Sequence, residues 1–224
     1  MKILILDTET TGFAEPIEPI EVAHLEISFP SLRIISEFEQ SYKPEGVIQV
    51  GAMATHHIIL EDLVDCPASA SYVFPECDYL IGHNINFDWE VLKEPEVKRI
   101  CTLAIARYLL PDLDSHTQSA LMYYFFGSAA REYLRNAHSA LADIHNCRMV
   151  LGKLLSLAVN KQELFEGDTI EDLYKFSENA RIPTKMTFGK HKGELISKVP
   201  YDYKCWLLKQ ADVDPYLIVA LKKK

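Results

Sequence analysis

Ile3-Leu4-Ile5-Leu6 is an unbroken β-branched and leucine run that stops at Asp7, the pattern of a strand covered on both faces with Asp7 at its carboxyl end. Residues 20–29 and 33–43 read as two further strands with Pro30-Ser31 as the turn between them, so an antiparallel meander with the first run is expected. A fourth apolar run, Tyr79-Leu80-Ile81-Gly82, leads into His83-Asn84. Helical spacing follows at 87–93, 102–109 and 117–126, punctuated by Pro and Gly. Within 139–159, Leu141, Ile144, Cys147, Leu151, Leu154, Leu155 and Ala158 recur three and four apart, which predicts a long amphipathic helix with Ser139 as its N-cap. A shorter helix is expected from Asp168, with Glu171 placed for a reciprocal capping box, fading near Ser177. Strands first in a meander and then alternating with helices make an α/β pattern.

At 224 residues the chain holds one large domain, or one domain and an appendage. Its 48% apolar and 25% charged content is enough to bury a core, which excludes a disordered tail. No run approaches the roughly 18 apolar residues of a membrane helix. The first apolar stretch meets a carboxylate after four residues, too early for a signal-peptide core, and the five cysteines form no C-x-x-C pair. A reducing, cytoplasmic setting without membrane contact is therefore expected. The net charge of −9 argues against a nucleic-acid partner until it is divided along the chain. Residues 184–224 carry nine Lys against four acids, a net of +5, and residues 1–183 a net of −14.

Three short segments carry the chemistry. Asp7-Thr8-Glu9-Thr10-Thr11-Gly12 places two carboxylates two apart at a strand end, and the period of two points both to one face of the sheet. Two such charges call for a hard cation with oxygen ligands, Mg²⁺ above all; the plainer alternative is a strand-ending aspartate and a solvated glutamate. His83-Asn84-Ile85-Asn86-Phe87-Asp88 puts Asp88 in the first turn of a helix, where the dipole alone already favours an anion. In His138-Ser139-Ala140-Leu141-Ala142-Asp143, five positions turn about 500° at helical pitch, so the two polar side chains cannot share a helix face. His138 should sit just before the helix and lean over its first turns, while Asp143 projects from inside it.

In their order these segments resemble the three motifs of the DEDDh class of 3′-to-5′ exonucleases, over residues 1 to about 158. Ala52-Met53-Ala54-Thr55-His56 is similar to the substrate loop of that class, and Cys101-Thr102-Leu103 also fits. His57 stands where many relatives carry a glycine. The resemblance implies a ribonuclease H-like fold, a mixed five-stranded sheet flanked by helices, with a small C-terminal appendage. It also implies two Mg²⁺ or Mn²⁺ ions held by Asp7, Glu9, Asp88 and Asp143, with His138 as general base, since an imidazole ordinarily titrates near about 6.5. Substrate contacts are expected from Thr10, Gly12, Met53, His56 and Phe87.

Phe188-Gly189-Lys190-His191-Lys192-Gly193, with Tyr203 and Trp206-Leu207-Leu208, is similar to the small C-terminal region of one bacterial exodeoxyribonuclease branch of the class. The expected organisation is thus an exonuclease domain at 1–160, a linker with a short helix at 161–183 and a basic region at 184–224. In that region Lys190 and Lys192 would grip phosphates, or else would simply be solvated while Trp206 packs inward. The expected activity is hydrolysis of DNA from its 3′ end to 5′-mononucleotides. The alternatives are an exoribonuclease of the same class and a non-catalytic nucleic-acid-binding module.

Overall fold

The structure, a computed structural model, describes residues 1–135, 137–160, 168–186, 188–210 and 213–223. Five strands form one mixed sheet: β1 (Ile3–Thr10), β2 (Pro19–Ile27), β3 (Ile34–Ser41), β4 (Tyr79–Gly82) and β5 (Lys98–Cys101), in the order β3-β2-β1-β4-β5. The first three are the expected antiparallel meander, and β4 and β5 extend it in parallel on the far side of β1. The α-helices are α1 (Val50–His56), α2 (Asn86–Val91), α3 (Thr102–Leu109), α4 (Gln118–Phe126), α5 (Ala130–Tyr133), α6 (Ala140–Asn160), α7 (Ile170–Ala180), α8 (Tyr201–Leu207) and α9 (Pro215–Lys222).

The alternation along β1 sorts the two layers. Ile3 and Ile5 join Ala23, Leu25, Ile81 and Ile100 under Ile105, Ile144, Val150, Leu151 and Leu154 of α3 and α6. Leu4 and Leu6 join Val22 and Leu80 on the other face, closed by Tyr42, Ile85 and Leu92. Because the period is two, Asp7 and Glu9 continue the Ile3-Ile5 row toward α6, and Thr8 and Thr10 continue the Leu4-Leu6 row.

The pattern missed α1, β5, α5 and α9. β5 is four residues long and buries only Ile100 and Cys101, too little to show a period. The helix expected from Asp168 starts later: Thr169 is the N-cap of α7 and shares its capping box with Asp172, because Ile170 and Leu173 must reach the core. Glu171 instead accepts from Tyr79 Oη and Lys98 Nζ, each at 2.6 Å. Ser177 does not end the helix. It is fully buried, and its hydroxyl takes the Cys101 N–H of the edge strand at 2.8 Å.

Met186, Ile196, Val199, Leu207, Leu217, Ala220 and Leu221 form a separate apolar cluster around α8 and α9. Tyr216 ties it to the main body, its hydroxyl donating to the Glu178 carboxylate and its ring lying 5.4 Å from the Arg181 guanidinium. All five cysteines are free thiols. Among the described residues no helix is long and apolar enough to cross a membrane.

Candidate active site

β1 pairs with β4 only through Ile3, Leu4 and Ile5, so the carboxyl end of the central strand runs on without a neighbour on that side. Such an opening is where α/β sheets place their ligands. β4 ends at Gly82, which lies so close to β1 that a Cβ there would come within 3.0 Å of the Leu6 carbonyl and 2.6 Å of Ile85 Cδ1. From this contact the chain turns into α2 and brings Asp88 around the strand end. The Thr8 N–H, left without a strand partner, donates to Asp88 Oδ1 at 3.0 Å, and the Thr8 hydroxyl donates to the same oxygen at 2.8 Å.

Asp143 comes from the opposite layer, on the first turns of α6. Its carboxylate accepts the His138 N–H at 3.2 Å and the Gln118 amide at 3.2 Å, and Gln118 also donates to its backbone carbonyl. One ligand oxygen each of Asp7, Glu9 and Asp143 lie within 4.8 Å of one another. Asp88 is outside that set of three yet close enough for its charge to act on both Asp7 and Glu9. Among the described residues no protein donor hydrogen-bonds to the carboxylate of Asp7 or Glu9.

Burial and mutual repulsion push these acids upward. Asp7 is held well above the usual carboxylate range by burial first, and then by Asp88, Asp143 and Glu9. Glu9 is raised to about 8 by burial and by Asp143 and Glu21, and Asp88 to about 7 by burial, against the pull of its Thr8 hydrogen bonds. Unpaired carboxylates that repel each other and offer only oxygen fit a hard divalent cation, with Asp7, Glu9 and Asp143 as the converging ligands.

The repulsion has a measurable consequence in the metal-free protein. Folded Glu9 holds its proton to about pH 8, whereas an unfolded glutamate loses it near 4.5, so the folded state binds more protons in between. The stability present below pH 4.5 is therefore lost as pH rises toward 8. In EDTA at pH 8, Glu9→Gln should raise Tm by at least about 3 °C, the shift that roughly 1 kcal/mol gives in a chain of this size. At pH 4.5 the gain should vanish. A lower Tm at pH 8 would show that the acid is not under strain.

The other expected residues divide into contacts and supports. His138 has φ 69° and sits two residues before α6, exposed, as its spacing from Asp143 required. Ser139 closes the first turn of α6 through its carbonyl, while the leading N–H of the helix, that of Ala140, goes to Glu21 Oε2 at 2.7 Å. His56 is buried, its Nε2–H donating to the Thr10 carbonyl at 3.3 Å and its Nδ1 accepting the Ile58 N–H at 3.0 Å. Both nitrogens are thereby occupied by backbone. The following His57 adopts φ 62° as the C-cap of α1, the left-handed position a glycine fills without strain.

His83 is likewise a support. Burial drives it down to about 4, so it is neutral, with Nε2–H on the His116 carbonyl and Nδ1 facing the Thr102 hydroxyl. Gly12, at φ 130°, packs against Gln49 with no room for a Cβ, and its N–H meets Thr10 Oγ1 at 3.3 Å. Met53 is half-buried against the Ile20, Ile48 and Leu63 cluster. Phe87 is half-buried with its ring 5.5 Å from that of Phe13, which is 84% exposed. Lys190 and Lys192 lie at a hairpin tip in the C-terminal unit.

Sequence reasoning missed Glu21, Gln118 and Phe13. Glu21 could have been found as the strand partner directly opposite Glu9, since like charges in that register need a reason. Phe13 follows the first motif directly. Gln118 carries no local signal, because only the fold brings α4 to Asp143.

Comparison with known proteins agrees with this geometry. The exonuclease family profile, RNase_T, matches residues 4–151. Exodeoxyribonuclease 10 of Escherichia coli (strain K12) is 26% identical over 97% of this chain and 96% of its own length. DNA polymerase III subunit epsilon of Buchnera aphidicola subsp. Schizaphis graminum is 27% identical over 72% of this chain and 76% of its own. The solved structure of exonuclease X in complex with 5′ overhanging duplex DNA superposes with a TM-score of 0.61 at 24% identity, covering 78% of this chain and 99% of that one. A fold of the ribonuclease H-like kind, an acidic cluster at its central strand end and a family match across most of the main body lead to one conclusion: the chain belongs to the RNase T type, or DEDD, family of exonucleases.

Proposed function

We propose that the protein hydrolyses DNA from the 3′ end and releases 5′-mononucleotides, with Asp7, Glu9, Asp88 and Asp143 as metal ligands and His138 as general base. The observation that carries this reading is the convergence of Asp7, Glu9 and Asp143 within 4.8 Å at the open end of β1. Two divalent cations, Mg²⁺ or Mn²⁺, held by the four carboxylates would activate the attacking water and neutralise charge on the scissile phosphate. His138, exposed and with its N–H on the Asp143 carboxylate, is placed to serve as the general base. Phe87, which precedes Asp88 in sequence, and the Phe13 ring packed against it give the terminal base an apolar surface, with Met53 on the α1 side. Thr10 and Gly12 shape the backbone at the strand end, and His56 and His83 fix the loops around it.

DNA is favoured over RNA by the full-length likeness to exodeoxyribonuclease 10. A non-catalytic module is disfavoured because all four carboxylates are present. Matched DNA and RNA oligonucleotides of one sequence test the choice: DNA should be shortened faster, and faster loss of the RNA would overturn it.

Glu21 acts here as a positioning residue. By holding the first N–H of α6 it fixes the helix that carries Asp143. Glu21→Ala should cost about 0.5–2 kcal/mol, as loss of a helix cap does. It should also lower kcat by at least tenfold, since a displacement of about 1 Å at a reacting centre can cost 10²-fold. Glu21→Gln keeps an acceptor oxygen and should restore most of the rate. Equal rates in wild type and Glu21→Ala would remove this role.

A further inference from the structure

Two aromatic side chains of the C-terminal unit, Tyr201 and Trp206, face outward. Trp206 is 53% exposed and Tyr201 79%, so the inward packing considered for Trp206 does not occur. The Tyr203 ring lies 5.4 Å from Trp206, tilted by 38°, with Lys190 Nζ 6.0 Å above its centroid. This ring is held from behind. The hairpin closed by the Gly193 N–H on the Met186 carbonyl wraps it, with Gly189 at φ 71° so close that a Cβ would fall 2.6 Å from Tyr203 Oη. His191, buried and bonded to Glu194, meets the same ring edge-on at 4.6 Å. Lys190 and Lys192 are exposed at the tip and form no ion pair with any described residue.

Two clefts share Arg107 in their lining. One, about 600 Å³, is lined by His83, Asn84, Arg107, His116 and Gln118, and Gln118 touches Asp143. The next, about 440 Å³, runs from the same Arg107 past Thr184 to Phe188 at the hairpin tip. Arg107 is exposed, and among the described residues it bonds to no acceptor. The first cleft, which Asp114 also lines, adjoins the Gln118 partner of Asp143, and the second, which Asp214 also lines, reaches Phe188 in the segment of net charge +5 that carries the rings and lysines.

We propose that Tyr203 and Trp206, with Lys190 and Lys192, form a second binding site for single-stranded DNA, on which bases several nucleotides from the reacting end stack while the strand follows the Arg107 cleft. The proposal rests on the exonuclease reading for its substrate, but the site can be tested without turnover. The exposed Trp206 ring, backed by half-buried Tyr203 with Lys190 over it, suits a strand of any sequence, because every base has a stacking face. The charge split supplies the attraction that the acidic main body lacks.

The test is binding of the full-length protein to a 20-nucleotide oligo-dT in EDTA, followed by tryptophan fluorescence. Oligo-dT should quench wild type, and Trp206→Phe should lose the quench while keeping most of the affinity. Trp206→Ala should raise Kd about tenfold, within the roughly 5- to 150-fold expected for one stacked base. The double variant Lys190→Ala with Lys192→Ala should flatten the salt slope by about 1.4, two phosphates' worth on a single strand. An abasic strand of equal length should bind more weakly and quench little. Equal binding and quenching by the abasic strand, or a wild-type Kd in Trp206→Ala, would overturn the site and return the patch to a different class of partner. Hydrolysis of DNA by such variants at wild-type rates would leave the exonuclease reading intact while removing this one.

Discussion

Asp7→Asn should lower turnover on the order of 10⁴-fold, the loss typical of removing one member of a catalytic unit, and the metal-free variant should melt above wild type. The two effects have one cause. Asp7 sits at the end of a buried strand with Asp88, Asp143 and Glu9 all raising its affinity for a proton, so its charge is a burden unless a cation is present. Asparagine is the same size, keeps the packing and removes the charge, which relieves the folded state and deprives the site of a ligand. Adding Mg²⁺ should raise the Tm of wild type, because a ligand that binds only the folded state stabilises it, and should raise that of the variant less. Loss of activity accompanied by a lower metal-free Tm would mean that Asp7 serves packing. Wild-type turnover would remove it from the ligand set.

His138→Ala should lower kcat by roughly 10² to 10⁴, the range of general-base catalysis, with the Mg²⁺ dependence of Tm unchanged. The distinction matters because the His138 N–H itself binds the Asp143 carboxylate. That contact is made by backbone, so alanine preserves it and removes only the ring. The acid limb of the pH profile of kcat should lose the contribution of one proton in the variant. If His138→Ala instead weakened the Mg²⁺ response and kept the wild-type pH profile, the ring would belong to the metal shell.

Both predictions rest on positions that could be read before the fold was known. The Ile3–Leu6 run and the period of two already placed Asp7 and Glu9 on one face, and the 500° argument already placed His138 outside the helix that carries Asp143. What could not be read is how the layers meet. Asp88 approaches from the Leu4-Leu6 face and binds Thr8, while Asp143 approaches from the Ile3-Ile5 face, and no local pattern distinguishes these two routes. Gln118 was invisible for the same reason, since it acts on a residue more than twenty positions away, whereas Glu21 left a signal only in its register opposite Glu9. α7 began at the residue its buried Ile170 demanded, and the capping pair followed, so core packing outweighed the local signal at Asp168 and Glu171.

The central claim is metal-dependent removal of nucleotides from a DNA 3′ end, and digestion of one oligonucleotide labelled at either terminus tests it most directly. With Mg²⁺, the 3′-labelled strand should release its label at once as a mononucleotide, while the 5′-labelled strand shortens through a ladder, and EDTA should stop both. Full activity in EDTA, immediate release of the 5′ label, or internal cleavage of a circular single strand as the main outcome would contradict the account.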